Sequence, residues 1–471
     1  MVQNNYNYSG TFEVEECKIF THHGEPLDLV QALIAVSVFE DINQGFLTCH
    51  ITVLDTNDIV LRDSLVGNEF CYLKIVTPSD EDVSLDFTKD PLIVTSIRQA
   101  DEGQGRIVSF TLATREFMRN SRTRISQSFS GNMTEIVKRL VKEKQFLGSD
   151  KTLLADSSVG LERIVIPNLK PLTAIQMIAQ RAKTKKDSPF VFFETIKGLN
   201  FLSFDSINRQ NTKTTFTLGT SDTYDNKPSK SSQVQANIIR QLGQVEDNDN
   251  ISNSVLLNTL NGMYSSRMIL HDIYNKTYHD LKFRYSDAFS KKNDIENSIG
   301  ETGHPVFPIS SQVDEDGKTV EDFHDSYLTL QSTSGYNTPK GSVHNINPYP
   351  NTIYPFEESS VSENLLIRNH KMSFLDRMGM TIKMVGNLSI QASDIIRLNV
   401  YKAKTDTDNA EEDLYDERLT GRYLISRLRH NFEFGNPKKH TIEATVIKDS
   451  VTKPYPNNLP PNPKRLSLIH I

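Results

Sequence analysis

The feature that most restricts this chain is a succession of short runs of β-branched and aromatic residues, each closed by a turn signal. Residues 34–39, 46–54, 70–76, 92–97 and 107–113 are runs of this kind. Asn43-Gln44-Gly45, Asp55-Thr56-Asn57-Asp58, Val66-Gly67-Asn68 and Asp101-Glu102-Gly103 separate them. Val, Ile, Phe and Tyr suit a pleated, half-buried surface, whereas Gly, Asn and Asp supply the dihedral angles that reverse a chain. Five or six strands in about 100 residues, joined by short polar turns, predict a compact antiparallel barrel or sandwich over residues 1–116.

The period then changes. Met133, Ile136, Val137, Leu140 and Val141 form one apolar stripe of a helix, with Asn132 as its cap and Glu135 in the capping-box position. Pro171 stands in the first turn of a second helix carrying Leu172, Ile175, Ile178, Ala179 and Ala182. Two aromatic runs around Lys197-Gly198 predict a hairpin. Residues 117–252 therefore read as a mixed α/β middle module, ending in a polar stretch with an acidic run at 246–249. Strand-like alternation returns at 268–274 and 278–285, so 253–290 reads as the start of a second barrel. Residues 291–361 read as a surface insertion. A last block, 362–452, opens with a helix capped by Ser362 and carrying Leu365, Leu366, Asn369, Met372 and Leu375, followed by further strands. Residues 453–471 form a proline-rich tail.

First and last blocks share an order. Residues 64–69 precede the strand 70–76, and residues 384–388 and Ala392-Ser393-Asp394 precede the strand 395–401. A closing strand pair follows in each, 92–97 with 107–113 and 423–428 with 441–447. Two copies of one barrel account for this, and so does the general likeness of any two antiparallel blocks.

Lysine and arginine number 52 against 59 acidic residues, a net charge of −7 spread along all 471 residues. A dedicated nucleic-acid binder would need a clustered basic excess. No apolar run approaches the ~18 residues of a membrane span. Met1 to Gly10 lacks the basic and apolar regions of a signal peptide. Cys17, Cys49 and Cys71 form no CxxC pair and read as small buried hydrophobes of a protein made in the cytosol.

Catalytic motifs do not emerge: there is no HExxH, Gly-x-Ser-x-Gly, P-loop or GxGxxG at a strand-to-helix turn. Gly103-Gln104-Gly105 reads as a hairpin turn. His22-His23 and His370 read as isolated histidines, not metal ligands. Glu40-Asp41 could supply a carboxylate pair, as could Glu411-Glu412-Asp413, which reads better as a solvated loop. Arg181, Lys183, Lys185 and Lys186 lie at a helix C-terminus, where cations complement the helix dipole. The absence of Trp weakens a carbohydrate-binding reading. The chain is expected not to be an enzyme, with no catalytic, cofactor or metal residues.

Several segments resemble the baseplate central hub proteins of contractile-tailed bacteriophages. The first is Val38-Phe39-Glu40-Asp41-Ile42 with Gly45-Phe46-Leu47-Thr48, Val53-Leu54-Asp55 and Leu65-Val66-Gly67-Asn68-Glu69. The second and most specific is Ile164-Val165-Ile166-Pro167-Asn168-Leu169-Lys170-Pro171-Leu172, with Ser188-Pro189-Phe190-Val191-Phe192-Phe193-Glu194 and Gly198-Leu199-Asn200-Phe201. The third runs from Arg368-Asn369-His370 through Gly386-Asn387 and Asp394-Ile395-Ile396 to Gly421-Arg422-Tyr423-Leu424-Ile425-Ser426-Arg427-Leu428-Arg429-His430. Ser393 departs from the glycine the family pattern leads one to expect. The matched segments touch about half of the chain, and 291–360 and 453–471 have no counterpart.

The resemblance implies an α+β, β-rich protein: two similar antiparallel tube-type β-barrels, the α/β middle module and the insertion. It implies a homotrimeric, pseudo-sixfold ring in the virion tail baseplate, adapting a sixfold tail tube to a threefold central spike for host cell entry and genome ejection. Its implied partners are a separate central spike protein, the first tail-tube ring, the tape-measure protein and surrounding baseplate proteins, with DNA only passing through the bore. Synthesis is expected in the host cytoplasm. Rival functions are a tail-associated cell-wall hydrolase and a glycan-binding tail module.

Overall fold

A computed structural model of the chain describes residues 10, 12–21, 24–56, 65–77, 80–102, 105–160, 162–186, 188–218, 245–248, 255–272, 276–286, 304–305, 318–333, 361–377, 379–400 and 415–453. Its amino-terminal lobe contains β1 (Glu13–Phe20), β2 (Leu33–Asp41), β3 (Thr48–Asp55), β4 (Phe70–Thr77), β5 (Leu92–Glu102) and β6 (Gly105–Ala113). These strands lie in the order β2-β3-β6-β5-β4-β1, every neighbour antiparallel. Alternation sets the face. Cys49, Ile51 and Val53 of β3 point into a core with Val108, Phe110 and Leu112 of β6, while Thr48, His50 and Thr52 face away. All three cysteines are free and buried in this lobe, as small hydrophobes.

The middle module comprises α1 (Arg115–Arg122), β7 (Ile125–Gly131), α2 (Met133–Lys142), β8 (Glu162–Leu169), α3 (Pro171–Arg181), β9 (Phe190–Thr195) and β10 (Gly198–Ser203). Asn132 caps α2 by accepting the Thr134 N–H at 2.9 Å. Pro171 occupies the first turn of α3, where a missing N–H costs no helical hydrogen bond. Gly198, at φ 133°, turns the β9–β10 hairpin in a conformation other residues avoid. The apolar stripes of α2 and α3 pack with Phe129, Phe190 and Phe201 into a core of the module's own.

The carboxy-terminal lobe draws on β11 (Thr215–Leu218) and β12 (Val245–Asn248). It resumes only after β13 (Ser265–Asp272), β14 (Thr277–Arg284), β15 (Leu328–Thr333) and α4 (Val361–Arg377). Then come β16 (Gly379–Val385), β17 (Ile395–Val400), β18 (Gly421–Glu433) and β19 (Lys439–Ile447). The lobe's order is β12-β16-β19-β18-β17-β11. Ranked by position in the chain, this is the same permutation as in the amino-terminal lobe.

The likeness extends to single residues. β5 and β18 each carry one extra residue, Thr95 and Ser426, where the register to β6 or β19 shifts. Each of these hydroxyls donates to the neighbouring strand, Thr95 to the Thr111 carbonyl at 3.0 Å and Ser426 to that of Thr445 at 3.1 Å. Before β4, Asn68 N–H bonds the Val94 carbonyl and Val94 N–H bonds Glu69; before β17, Ser393 and Ile425, then Ile425 and Asp394, repeat both bonds. Asn68 and Ser393 stand at φ 76° and 77°. The structural counterpart of Gly67-Asn68 is thus Ala392-Ser393, not Gly386-Asn387, and Ser393 adopts the left-handed turn without glycine. One strand departs: β1 runs antiparallel to β4, whereas β11 runs parallel to β17.

With two further strands that only the first lobe has, Pro26–Asp28 beside β1 and Asp80–Asp86 beside β4, the two lobes form one 14-stranded sheet that, among the described residues, does not close on itself. Where a pair of tube-type barrels is expected, the described residues show two like lobes of one continuous sheet, neither closed on itself. Two boundaries also move. β11 and β12, expected in the middle module, pair with β17 and β16 of the last lobe. The expected start of the second barrel, 253–290, instead makes a separate sheet in which β13 pairs antiparallel with β14 and parallel with β15. Leu328 to Thr333, expected inside an insertion, is thus a sheet strand, and Met268, Leu270 and Phe283 of this sheet pack on Leu366 of α4. α4 begins at Val361, so Ser362 lies within the helix and not at its cap. Most of 291–361, and all of the tail beyond Lys453, fall outside the described residues.

Candidate assembly interface

The lobes meet edge to edge where β2 pairs antiparallel with the second half of β18, from Ala35↔Glu433 to Asp41↔Arg427. β18 can serve two neighbours on that side because its first half, Gly421 to Leu424, pairs with β17 and the Ser426 bulge separates the halves. Ile42 N–H to Ser426 and Phe434 N–H to Ile34 extend the ladder at both ends, at 3.1 and 3.0 Å.

The inner face of this seam is apolar. Val36, Val38, Leu388 and Phe432 are buried in the core of the amino-terminal lobe, although two of them come from the other lobe. Phe12 meets the Phe432 ring edge-on at 5.0 Å, and the His440 ring stacks on Phe432 at 4.2 Å. His430 Nδ1 lies 3.2 Å from His440 Nε2. Burial holds both imidazoles neutral, pushing His430 down to about 4.

The outer face is polar. Arg427 Nε donates to Asp41 at 3.1 Å, and the Arg429 guanidinium reaches Ser37 Oγ and Glu443, each at 3.2 Å, while lying over the Phe39 ring. Ser37 Oγ donates to Asn431 at 2.8 Å. Phe39, Asp41, Arg427, Arg429 and Glu443 line a concavity of about 430 Å³ bounded also by His50 and Thr381. Arg427 is half exposed, so its ion pair adds register more than stability.

Glu40 fastens the base of the seam. Its Oε1 accepts the Ile196 N–H at 2.8 Å and its Oε2 the Ala392 N–H at 2.6 Å, so one carboxylate ties the first lobe to the middle hairpin and to the turn of the second lobe. Burial raises its pKa to about 7 despite the two N–H donors. Ile42, Phe193, Leu202, Ile395 and Leu424 form the apolar cluster around the same three-way joint. Close by, Lys151 Nζ donates to Glu194 at 2.5 Å and Glu116 at 2.7 Å. Glu194 also accepts from Thr114 Oγ1 at 2.8 Å and from the Leu47 N–H at 3.1 Å. Burial raises Glu194; for Glu116 burial is outweighed by Lys151, which holds that carboxyl down. Shared counter-charge of this kind locks the middle module to the first lobe. At Gly45 a Cβ would stand 2.8 Å from Phe192, so only glycine permits that contact.

The carboxylates singled out in the sequence are thus structural partners. Glu40 has each oxygen on a backbone amide, and Asp41 is held by Asn43 N–H and Arg427. His370 is buried with Nδ1 2.6 Å from the Met263 carbonyl, and burial lowers its pKa to about 3. Arg181 ends α3, and Lys183 makes a backbone bridge to Pro189. Gly105 opens β6 in the β5–β6 hairpin. Gly103, Gln104, His22, His23 and Glu411-Glu412-Asp413 lie outside the described residues. Among the described residues no three His, Cys, Asp or Glu converge as metal ligands. Sequence reading did not find Arg427, Arg429 or the Lys151 network. The Arg-x-Arg alternation of β18 was the available signal for the first two.

No protein-family model matches the chain, and no curated protein matches it in sequence. Solved structures do. The tail protein from Neisseria meningitidis MC58 matches with a TM-score of 0.50 at 10% identity, over 92% of this chain and 96% of that one. The tail protein of prophage MuSo2 from Shewanella oneidensis gives 0.48 at 9%, over 93% and 99%. Prophage tail protein gp18 from Listeria monocytogenes EGD-e gives 0.45 at 8%, over 92% and 94%. The structural neighbours of this chain include tail and baseplate proteins of prophages and phages.

Proposed function

We propose that this chain, with its phage-tail fold, is a structural baseplate hub: a trimer whose six similar lobes form a pseudo-sixfold ring between a sixfold tail tube and a threefold central spike. The observation that carries this reading is the repeated strand permutation, with the two copies joined edge to edge in one sheet. A lobe pair built this way repeats one unit along an arc. Three chains then present six near-equivalent units to a tube on one face and three identical chains to a spike on the other. Barrels closed inside each chain are not needed, because each chain's arc of sheet finds its continuation in the next. The saturated hydrogen bonding of Glu40 and Asp41 fits a framework role for these carboxylates. By this reading the tube ring, the spike, the tape-measure protein and neighbouring baseplate proteins are its partners, DNA crosses only its bore, and its place is the virion tail after synthesis in the host cytoplasm.

Sedimentation equilibrium of the purified chain, with and without its spike, tests the copy number. Three copies, with class averages showing six lobes around a hole, are the expected result. A monomer under both conditions at every concentration overturns the proposal.

A further inference from the structure

The internal seam is half of a repeating joint, and the other half is open on the described surface. In the seam, β18 offers the edge beyond its bulge to β2. In the amino-terminal lobe, β5 pairs with β4 only at Leu92 and Ile93, and past its own bulge at Thr95 it pairs on one side alone, with β6. The opposite edge of Ser96 to Glu102 carries no strand among the described residues. In the carboxy-terminal lobe the counterpart of β2 is β12, which ends the sheet path with only β16 beside it. Its counterpart status is residue-specific. β2 shifts register against β3 between Leu33 and Ala35, and β12 shifts against β16 between Val245 and Asp247.

We infer that β12 of one copy pairs antiparallel with the second half of β5 of the next copy, in the register of the internal seam. Ala35 opposite Glu433 translates to Asp247 opposite Glu102, and Val36 opposite Phe432 translates to Asn248 opposite Asp101. The occupant of each open edge is thus a second copy of this chain. This pairing continues an interface the chain already contains: donor edge and acceptor edge are present once as a joined pair and once as separated ends. An unpaired edge of this length is otherwise a hazard, and exposure marks it: Gln99 is exposed, whereas its counterpart His430 is fully buried. The contact is heterologous, so it propagates head to tail and closes when the turn per chain divides the circle. This inference rests on the hub reading only for the number of copies at which the ring closes.

The register also names a weakness. Glu102 and Asp247 occupy directly opposed positions, an unfavourable pairing of like charges. The external joint is therefore weaker than the internal one, where the uncharged Ala35 stands opposite Glu433.

Disulfide trapping in the full-length chain tests the register. Within one chain the two edges are seven strand spacings apart along the sheet, roughly 34 Å, beyond the ~7 Å limit for a disulfide. Glu102→Cys with Asp247→Cys, and separately Asp101→Cys with Asn248→Cys, should therefore give linked multimers on a non-reducing gel. They should stop at three, and neither single variant should form them. A protein that sediments as a trimer yet yields no linkage from either double variant overturns the joint and leaves the hub reading intact. A monomer yielding none overturns both. As an independent arm, Glu102→Lys should tighten self-association about fivefold in dissociation constant by replacing a like pair with an opposite one. Unchanged or weaker association counts against the register.

Discussion

The two lobes use one strand permutation with very different connections. In the first, β2 reaches β3 across residues 42–47; in the second, the same step from β12 to β16 spans residues 249–378 and includes a separate sheet and the α4 helix. Loop closure costs grow only with the logarithm of length, so strand order survives the excursion as long as each pairing keeps its register. What differs is the end of the bulged strand. Phe432 of β18 is fully buried against β2, while the corresponding stretch of β5 has no such neighbour among the described residues. Partner, not sequence pattern alone, decides which end becomes core.

The strongest way to break the comparison is to remove Phe432. Phe432→Ala should destabilise the chain by about 3–5 kcal/mol, the usual cost of deleting a buried ring. Because that ring packs in the first lobe's core, Cys17, Cys49 and Cys71 should become reactive to a thiol probe in the same denaturant transition that unfolds the second lobe. Two separate transitions would show that the lobes fold independently.

Protonation sharpens the contrast next. His430 is neutral and buried with a pKa near 4, against an ordinary 6.5, so its contribution is intact above pH 6.5 and is lost as pH falls toward 4, at ~3 kcal/mol. Glu40 acts in the opposite sense. Its raised pKa favours the fold below about 4.5, and that contribution is lost as pH rises through 7. His430→Gln, which copies Gln99 of the first lobe, should lessen the acid loss in urea midpoints compared between pH 7 and pH 4, the remainder being carried by the likewise buried His440 and His370. An unchanged slope would mean that this imidazole does not titrate with folding.

Glu40→Ala should cost about 2 kcal/mol at neutral pH, because two buried amides lose their acceptor, a loss only partly offset by removing the penalty on ionising the buried carboxylate. The loss should be readable by calorimetry as one lower melting transition. The smallest effect compares the twin turns. Ser393→Gly should stabilise by about 0.5–1 kcal/mol by relieving a left-handed residue, and Asn68→Gly by clearly less, since Asn tolerates that region. Equal gains in chemical denaturation would contradict the difference.

Much of the sheet was legible because alternation is a local signal. β3, β5, β6 and the β9–β10 hairpin follow directly from runs such as Cys49, Ile51 and Val53. β12 was not, since Val-Glu-Asp-Asn carries no strand pattern and takes its conformation from β16. The β13–β14 alternation was visible, but its parallel partner β15 lies beyond Tyr285 in a segment of unremarkable composition. The seam eluded the sequence for the same reason: Glu40 drew notice as a carboxylate, yet its acceptor role depends on amides at 196 and 392, and nothing near Arg427 announces Asp41. Ser393 takes its left-handed turn without glycine, which hides its kinship with Asn68 and leaves Gly386-Asn387 as the nearer match in sequence.

The extra residues Thr95 and Ser426 are single insertions in a two-step alternation, and each puts a crook in its ribbon. Excising Ser426 would leave Ile425 opposite Val446, Arg427 opposite Thr445 and Leu428 opposite Ala444, so the ladder to β19 would run unbroken while the crook between the half facing β17 and the half facing β2 was ironed out. A one-codon deletion there should therefore trouble the junction of the lobes more than either oily interior, and the same omission at Thr95 should straighten the place where the next molecule would take hold.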